Sequence, residues 1–307
     1  MAHREAGSRR RLLAVPVLVG GMASFQIGAS IAKSLFPVFG ATGTTGLRIS
    51  LSLLVLLVMW RPWRRLPEAA ALRVIVPYGL ALGIMNLLFY LSLARLPLGA
   101  AVAIEFTGPL ALAFIGSRRL LDLLWAALVV GGLVLLLDPT TSLHRIDPVG
   151  AALALGAGLF WALYIVFGQR VGQRVAGGHV TALGMAVACL AVVPFCLPAM
   201  LPAVRDPVRL LEAVLVAILS SALPCSLEMA AMRRISMRSF GILMSLDPAL
   251  AALSGLMLLG ERLSLSRWLA ILCIVLASAG TALTAEARPG AEPEAAPERN
   301  KPDLTEA

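Results

Sequence analysis

Lysine is nearly missing from this 307-residue chain, which carries only Lys33 and Lys301 among its 26 basic residues. Neither follows a glycine, so no Walker-type phosphate loop exists, which argues against ATP-driven pumping by this chain alone. Histidine is equally sparse. His3, His144 and His179 fall in terminal or loop stretches; there is no HExxH and no Cys/His ligand spacing, and no metal or other cofactor is expected. The four cysteines, Cys189, Cys196, Cys225 and Cys273, lie inside apolar runs, where a small, weakly polar side chain packs easily, and outline no disulfide framework. Charge is scarce too, at 14% of residues.

What fills the chain instead is apolar sequence. Hydrophobic residues make up 59% and the mean hydropathy is +0.88, far from a water-soluble domain of this length. A window of about 19 residues finds ten runs long enough to span a bilayer: 12–33, 42–60, 72–93, 98–116, 120–137, 149–170, 179–200, 211–231, 237–258 and 265–284. Lipid offers no partner to an open backbone amide, and the short connectors show no alternating pattern, so the runs are expected to be helices rather than barrel strands.

These runs repeat. Arg95 precedes Pro109 by the same fourteen positions that separate Arg234 from Pro248, and the second block lies 139 positions after the first. GGMASF (20–25) and TTGLRI (44–49) answer GAGLFW (156–161) and VTALGM (180–185) at an offset near 135. Each half then holds five helices. An odd number of crossings inserts the second half upside down relative to the first, the signature of alternating-access secondary transporters. The expected organisation is a cytoplasmic segment 1–11, a first five-helix repeat 12–138, an inverted second repeat 147–284, and a tail 285–307. The tail is rich in proline, alanine and glutamate and is expected to be disordered in the cytoplasm. SRRRLLA (8–14) looks like the start of a signal peptide, but removing the first run would break the five-plus-five pattern, so it reads as a retained helix.

The net charge of +9 follows topology rather than a nucleic-acid footprint. With the amino terminus inside, fifteen arginines fall on inner segments (Arg4, Arg9–Arg11, Arg61, Arg64, Arg65, Arg73, Arg118, Arg119, Arg170, Arg174, Arg233, Arg234 and Arg238) against seven basic residues outside. The positive-inside rule therefore places both termini in the cytoplasm.

Polar residues inside the runs are the functional candidates, because a central ionised side chain costs about 2.5–3.5 kcal/mol on insertion scales. Counted from the outer ends, Gln26, Arg48, Asn86 and Glu105 lie at one depth, about 10 Å in. Gln26, Ser30, Lys33 and Pro37 share one helix face; so do Gly79, Gly83, Asn86 and Tyr90, and Ser221, Pro224 and Glu228. The glycine pair also reads as a packing seam. Trp161 and Tyr164, three apart in mid-helix, wall a cavity or fill a groove, whereas Trp60, Trp63, Trp125 and Trp268 read as interfacial. Pro109 deletes the bond to the Glu105 carbonyl, and Pro224 and Pro248 do the same for Ser220 and Met244. Substrate-binding candidates are thus Gln26, Lys33, Arg48, Asn86, Tyr90, Glu105, Trp161, Tyr164 and Ser221, with Glu105, Asp247 and Glu228 as proton-coupling candidates. Glu105 and Arg48 form either a structural ion pair or the two ends of a site for a zwitterionic amino acid; Glu228 carries a proton or snorkels toward Arg233 or Arg234. No Ser/His, His/Asp or metal constellation suggests an enzyme.

Several stretches resemble the EamA-type drug/metabolite transporter superfamily, and within it the bacterial inner-membrane threonine/homoserine exporters. They are GASIAKSLFP (28–37), GLRIS (46–50), NLLFYLSLARLPLGAAVAIEFTGPLA (86–111), ALALGAGLFWALYIVFGQRVG (152–172), ALPCSLEMAAMRR (222–234) and FGILMSLDPALAALSG (240–255). The resemblance spans all ten runs. It implies an all-α fold of ten transmembrane helices, a central cavity between the first four helices of each half, and proton-coupled export of L-threonine, L-homoserine and related amino acids. Lys33, Arg48, Asn86, Glu105, Glu228 and Asp247 occupy that family's membrane-buried polar positions. Asp247 stands where a glutamate is usual and Cys225 where an aromatic is usual, which bears on substrate preference. A drug or metabolite efflux protein, or an uptake permease of the same fold, is the alternative.

Overall fold

The computed structural model describes residues 14–64, 68–114, 120–136, 146–172, 177–201, 206–224, 227, 244 and 246–285. Among these residues every extended element is helical and no strand occurs. The chain forms α1 (Ala14–Ser34), α2 (Phe36–Trp60), α3 (Ala69–Leu93), α4 (Leu98–Glu105), α5 (Thr107–Phe114), α6 (Leu120–Leu136), α7 (Pro148–Gly172), α8 (Gly177–Met200), α9 (Pro207–Ala217) with a π-turn at Ile218–Ala222, α10 (Asp247–Leu259) and α11 (Leu265–Ala285). Seven of the expected runs thus each overlap a single described helix. Run 98–116 is split at Phe106 into α4 and α5, and runs 211–231 and 237–258 are described only in part. Glu228 and Cys225 lie outside the described residues.

Four helical stretches, Phe36–Trp60, Ala71–Leu93, Pro148–Gly168 and Gly178–Met200, are long and apolar enough to cross a membrane by length and composition; Leu98–Leu112, Asp247–Leu259 and Leu265–Ala277 are apolar but shorter. α2 begins earlier than its apolar run, because Gly40 (φ 65°, ψ 173°) turns the chain inside it. A side chain would be strained at that angle.

Burial is arranged inside out relative to a water-soluble protein. Phe195 and Met257 are about four-fifths exposed (79% and 80%), whereas Gln26 is fully buried and Arg48 is 4% exposed. α3 packs along α7 and α8, α2 along α8, and α4 against α10 and α7. α1 lies against α10 and the π-turn, α9 against α2 and α1, and α6 packs mainly on α11. Where lipid gives no hydrophobic drive, small residues let backbones approach. Gly79 and Gly83 serve this purpose: a Cβ on Gly79 would lie 2.6 Å from the Gly184 carbonyl oxygen of α8, and one on Gly83 3.0 Å from Ala188.

The closest approach joins α5 to α7. A Cβ on Gly158 would collide with the Glu105 carbonyl, and one on Gly108 with the Gly158 carbonyl. Both obstacles are backbone and cannot swing aside. Gly158→Val should therefore destabilise the protein by about 3 kcal/mol or more, seen as a lower unfolding temperature or loss of monodisperse protein in detergent; an unchanged unfolding temperature would contradict the contact.

Candidate functional site

The π-turn explains how the polar centre is built. Its closing bond runs from the Leu223 N–H to the Ile218 carbonyl, five residues back, so the Leu219 carbonyl loses its usual donor. Pro224 has no N–H to give the Ser220 carbonyl. Side chains from α1 and α2 take over both: Ser24 Oγ donates to the Leu219 oxygen (2.8 Å) and Arg48 Nη2 to the Ser220 oxygen (2.8 Å). Ser52 Oγ also donates to the Ala217 oxygen, at 3.3 Å. Gly28 permits the contact, since a Cβ there would sit 2.8 Å from the Ser220 nitrogen.

Arg48 is the hub. Its Nε donates to Ser220 Oγ (2.8 Å) and its Nη1 to Asn86 Oδ1 (2.5 Å). Ser220 Oγ donates a hydrogen bond to the Val216 carbonyl (2.6 Å) and Asn86 Nδ2 to the Leu82 carbonyl (2.7 Å), so both acceptors are oriented by their own helices. The guanidinium carbon lies 5.0 Å from the Tyr90 ring centroid and 5.5 Å from that of Phe25, within cation–π range. Three of five guanidinium N–H groups are thereby engaged with neutral partners.

Of the two readings open for Arg48 and Glu105, the structural ion pair does not occur among the described residues. Glu105 is the last residue of α4, 7% exposed, and its carboxylate has no hydrogen-bond partner among the described residues. It remains within electrostatic range of both Asp247 and Arg48. Asp247 opens α10, 6% exposed, and accepts a 2.9 Å bond from Gln26 Nε2. Sequence depth had not paired these two. The Gln26 Oε1 and Tyr90 hydroxyl oxygens are buried without partners.

Lys33, two turns along α1 from Gln26, belongs to a different cluster. Its ammonium donates to Glu261 Oε1 (2.6 Å) and the Leu96 carbonyl (2.7 Å), while Glu261 Oε2 accepts from the Leu98 N–H that opens α4 (2.8 Å). Glu261, beyond the end of α10, was missed by sequence reading because it sits in a connector. Trp161 and Tyr164 also separate: Trp161 meets Phe106 edge-on at 5.6 Å, beside the break between α4 and α5, whereas Tyr164 stacks on Tyr78 at 4.8 Å with hydroxyls 3.2 Å apart. Ser221 is buried, but its neighbour Ser220 makes the Arg48 contacts. Trp125, in the second turn of α6, packs against Gly280 of α11. At the surface Arg95 pairs with Asp147 at 2.8 Å and holds that carboxyl below its usual range; so exposed a pair adds little stability.

An all-helical, inside-out bundle whose buried core holds an arginine, an asparagine and two carboxylates on separate helices defines the class of membrane-embedded carriers for small polar solutes. The chain belongs to the EamA-like transporter family, which matches it over residues 148–283. It is 47% identical over 287 residues to the threonine/homoserine exporter RhtA of Salmonella typhimurium strain LT2, covering 92% of this chain and 97% of that protein. The same identity holds over 282 residues to threonine/homoserine exporter RhtA of Escherichia coli strain K12, covering 91% and 95%. A crystal structure of a protein 18% identical superposes with a TM-score of 0.55 over 91% of this chain and 98% of the other, a likeness of fold alone.

Proposed function

We propose that this protein is a secondary exporter of small amino acids of the L-threonine and L-homoserine class, exchanging substrate for protons across a bacterial inner membrane by alternating access. The observation that carries the reading is Arg48: a buried cation held by three bonds to neutral groups, with two N–H donors left and the Glu105 carboxylate in electrostatic range. A zwitterion supplies what such a centre lacks. Its carboxylate meets the free guanidinium donors, its ammonium meets the acidic side, and Glu105 is the proton carrier.

The inverted-repeat organisation, residues 12–138 against 147–284 with both termini in the cytoplasm, draws support from the packing. Exchanging the halves turns α3 on α7 into α9 on α1, α3 on α8 into α9 on α2, and α4 with α5 on α7 into α10 on α1; α2 on α8, α4 on α10 and α6 on α11 map onto themselves. Rocking one half against the other then exposes the Arg48 centre to each face in turn.

A thermal-shift and transport screen of the purified full-length protein over the twenty amino acids plus homoserine tests the proposal. Threonine and homoserine should raise the unfolding temperature and be transported. Response only to a metabolite lacking the amino-acid group would replace this reading with the drug/metabolite one, and proton-independent flux would replace it with a channel.

A further inference from the structure

Gln26 is completely buried, and its two amide atoms are treated differently. Nε2 is bonded to Asp247 Oδ1 at 2.9 Å, while Oε1, one amide width away, has no partner. The orientation is dictated by Asp247, because the reversed amide would set two oxygens face to face. An acceptor buried without a donor is costly and calls for a reason.

Among the described residues no cation of the neighbouring helices provides one. Arg48 spends its described bonds on Ser220 and Asn86, and Lys33 its own on Glu261 and Leu96. The polar groups described at this point are acceptors: Gln26 Oε1, the Asp247 carboxylate and, in electrostatic range of Asp247, the Glu105 carboxylate. A proton on Asp247 could serve Gln26 Oε1 only with the amide reversed, which would leave Nε2 as the unpartnered atom instead. A primary ammonium has three N–H groups in a tetrahedral spread and supplies both Gln26 Oε1 and the Asp247 carboxylate.

We infer that the Gln26–Asp247 pair, joining α1 to α10, is the subsite for the substrate's ammonium group and the element that makes the protein select amino acids over the corresponding acids that lack the amino group. The inference rests on the exporter reading above and deepens it. It moves ammonium recognition away from Glu105, leaving that carboxylate free of direct substrate pairing, and it ties substrate binding to the contact between one helix of each half. A site built around a buried acceptor rejects ligands lacking the matching donor strongly, because the acceptor is then stranded.

The test compares L-threonine with 3-hydroxybutyrate, which keeps the carboxylate and the hydroxyl but lacks the ammonium, in equilibrium binding to purified full-length protein. Wild type should prefer threonine by about 100-fold. Asp247→Asn and Gln26→Met should each weaken threonine binding about 10- to 100-fold while leaving 3-hydroxybutyrate within about two-fold, with thermal unfolding reporting that both variants remain folded. Equal wild-type affinity for the two probes would overturn the subsite without any variant. Folded variants that keep the threonine preference, or lose both probes equally, would overturn it too. Wild type that binds neither probe would instead overturn the exporter reading, and this inference with it.

Discussion

Arg48→Ala should lower the affinity for threonine by at least about 100-fold in equilibrium binding, the loss expected when two charge-assisted hydrogen bonds to a carboxylate vanish from a buried site. Arg48→Lys should not restore it. The Nε and Nη2 atoms bind Ser220 Oγ and the Ser220 carbonyl together, at 2.8 Å each, and only a planar fork presents two donors at that spacing while a third reaches Asn86. A lysine ammonium carries its three N–H groups on one nitrogen and does not reproduce the fork that reaches Ser220 and Asn86 together. Alanine also strands three acceptors, so a fall in unfolding temperature should accompany the loss of binding. Arg48→Ala protein that stays folded and binds threonine as wild type does would remove Arg48 from the site.

Glu105→Gln should abolish substrate-linked proton movement with little change in stability. The amide keeps the volume of the carboxyl but cannot ionise, and no described hydrogen bond to the Glu105 side chain is lost. In proteoliposomes loaded with threonine, outward flow through the wild type should acidify the lumen, reported by a trapped pH dye; the variant should show no acidification above that of empty vesicles. Coupling retained in the variant would pass the proton-carrying role to another carboxylate and reject Glu105. Because Glu105 closes α4 where its carbonyl meets Gly158, bulkier replacements would confound packing with chemistry, and glutamine avoids that.

The helices were legible because lipid imposes one rule, that a long apolar run closes its own hydrogen bonds, and that rule needs no tertiary information. The matched depth of Arg48 and Asn86 was legible for the same reason: a fixed rise per residue turns sequence distance into depth. Facing was harder. Ser221 was chosen over Ser220 by counting on a regular helix, but the π-turn inserts an extra residue per turn and rotates every side chain beyond it. Opposite charge at matched depth leaves an Arg48–Glu105 pair open, yet the Ser220 carbonyl freed of its usual amide, the Ser220 hydroxyl and an asparagine hold the cation. The Gln26–Asp247 and Lys33–Glu261 contacts join residues more than two hundred positions apart, where neither depth nor periodicity identifies a partner. Trp161 and Tyr164 lie close along α7, but their rings engage Phe106 and Tyr78 separately.

Pro224 has no polar side chain, yet it governs where the buried cation rests. By withholding one amide hydrogen it keeps the Ser220 oxygen available to a neighbouring helix, and the guanidinium is anchored to that vacancy in the ladder. A survey of this protein confined to ionisable and hydroxylated positions would therefore overlook one determinant of ligand recognition, a ring of methylenes whose whole contribution is what it declines to donate.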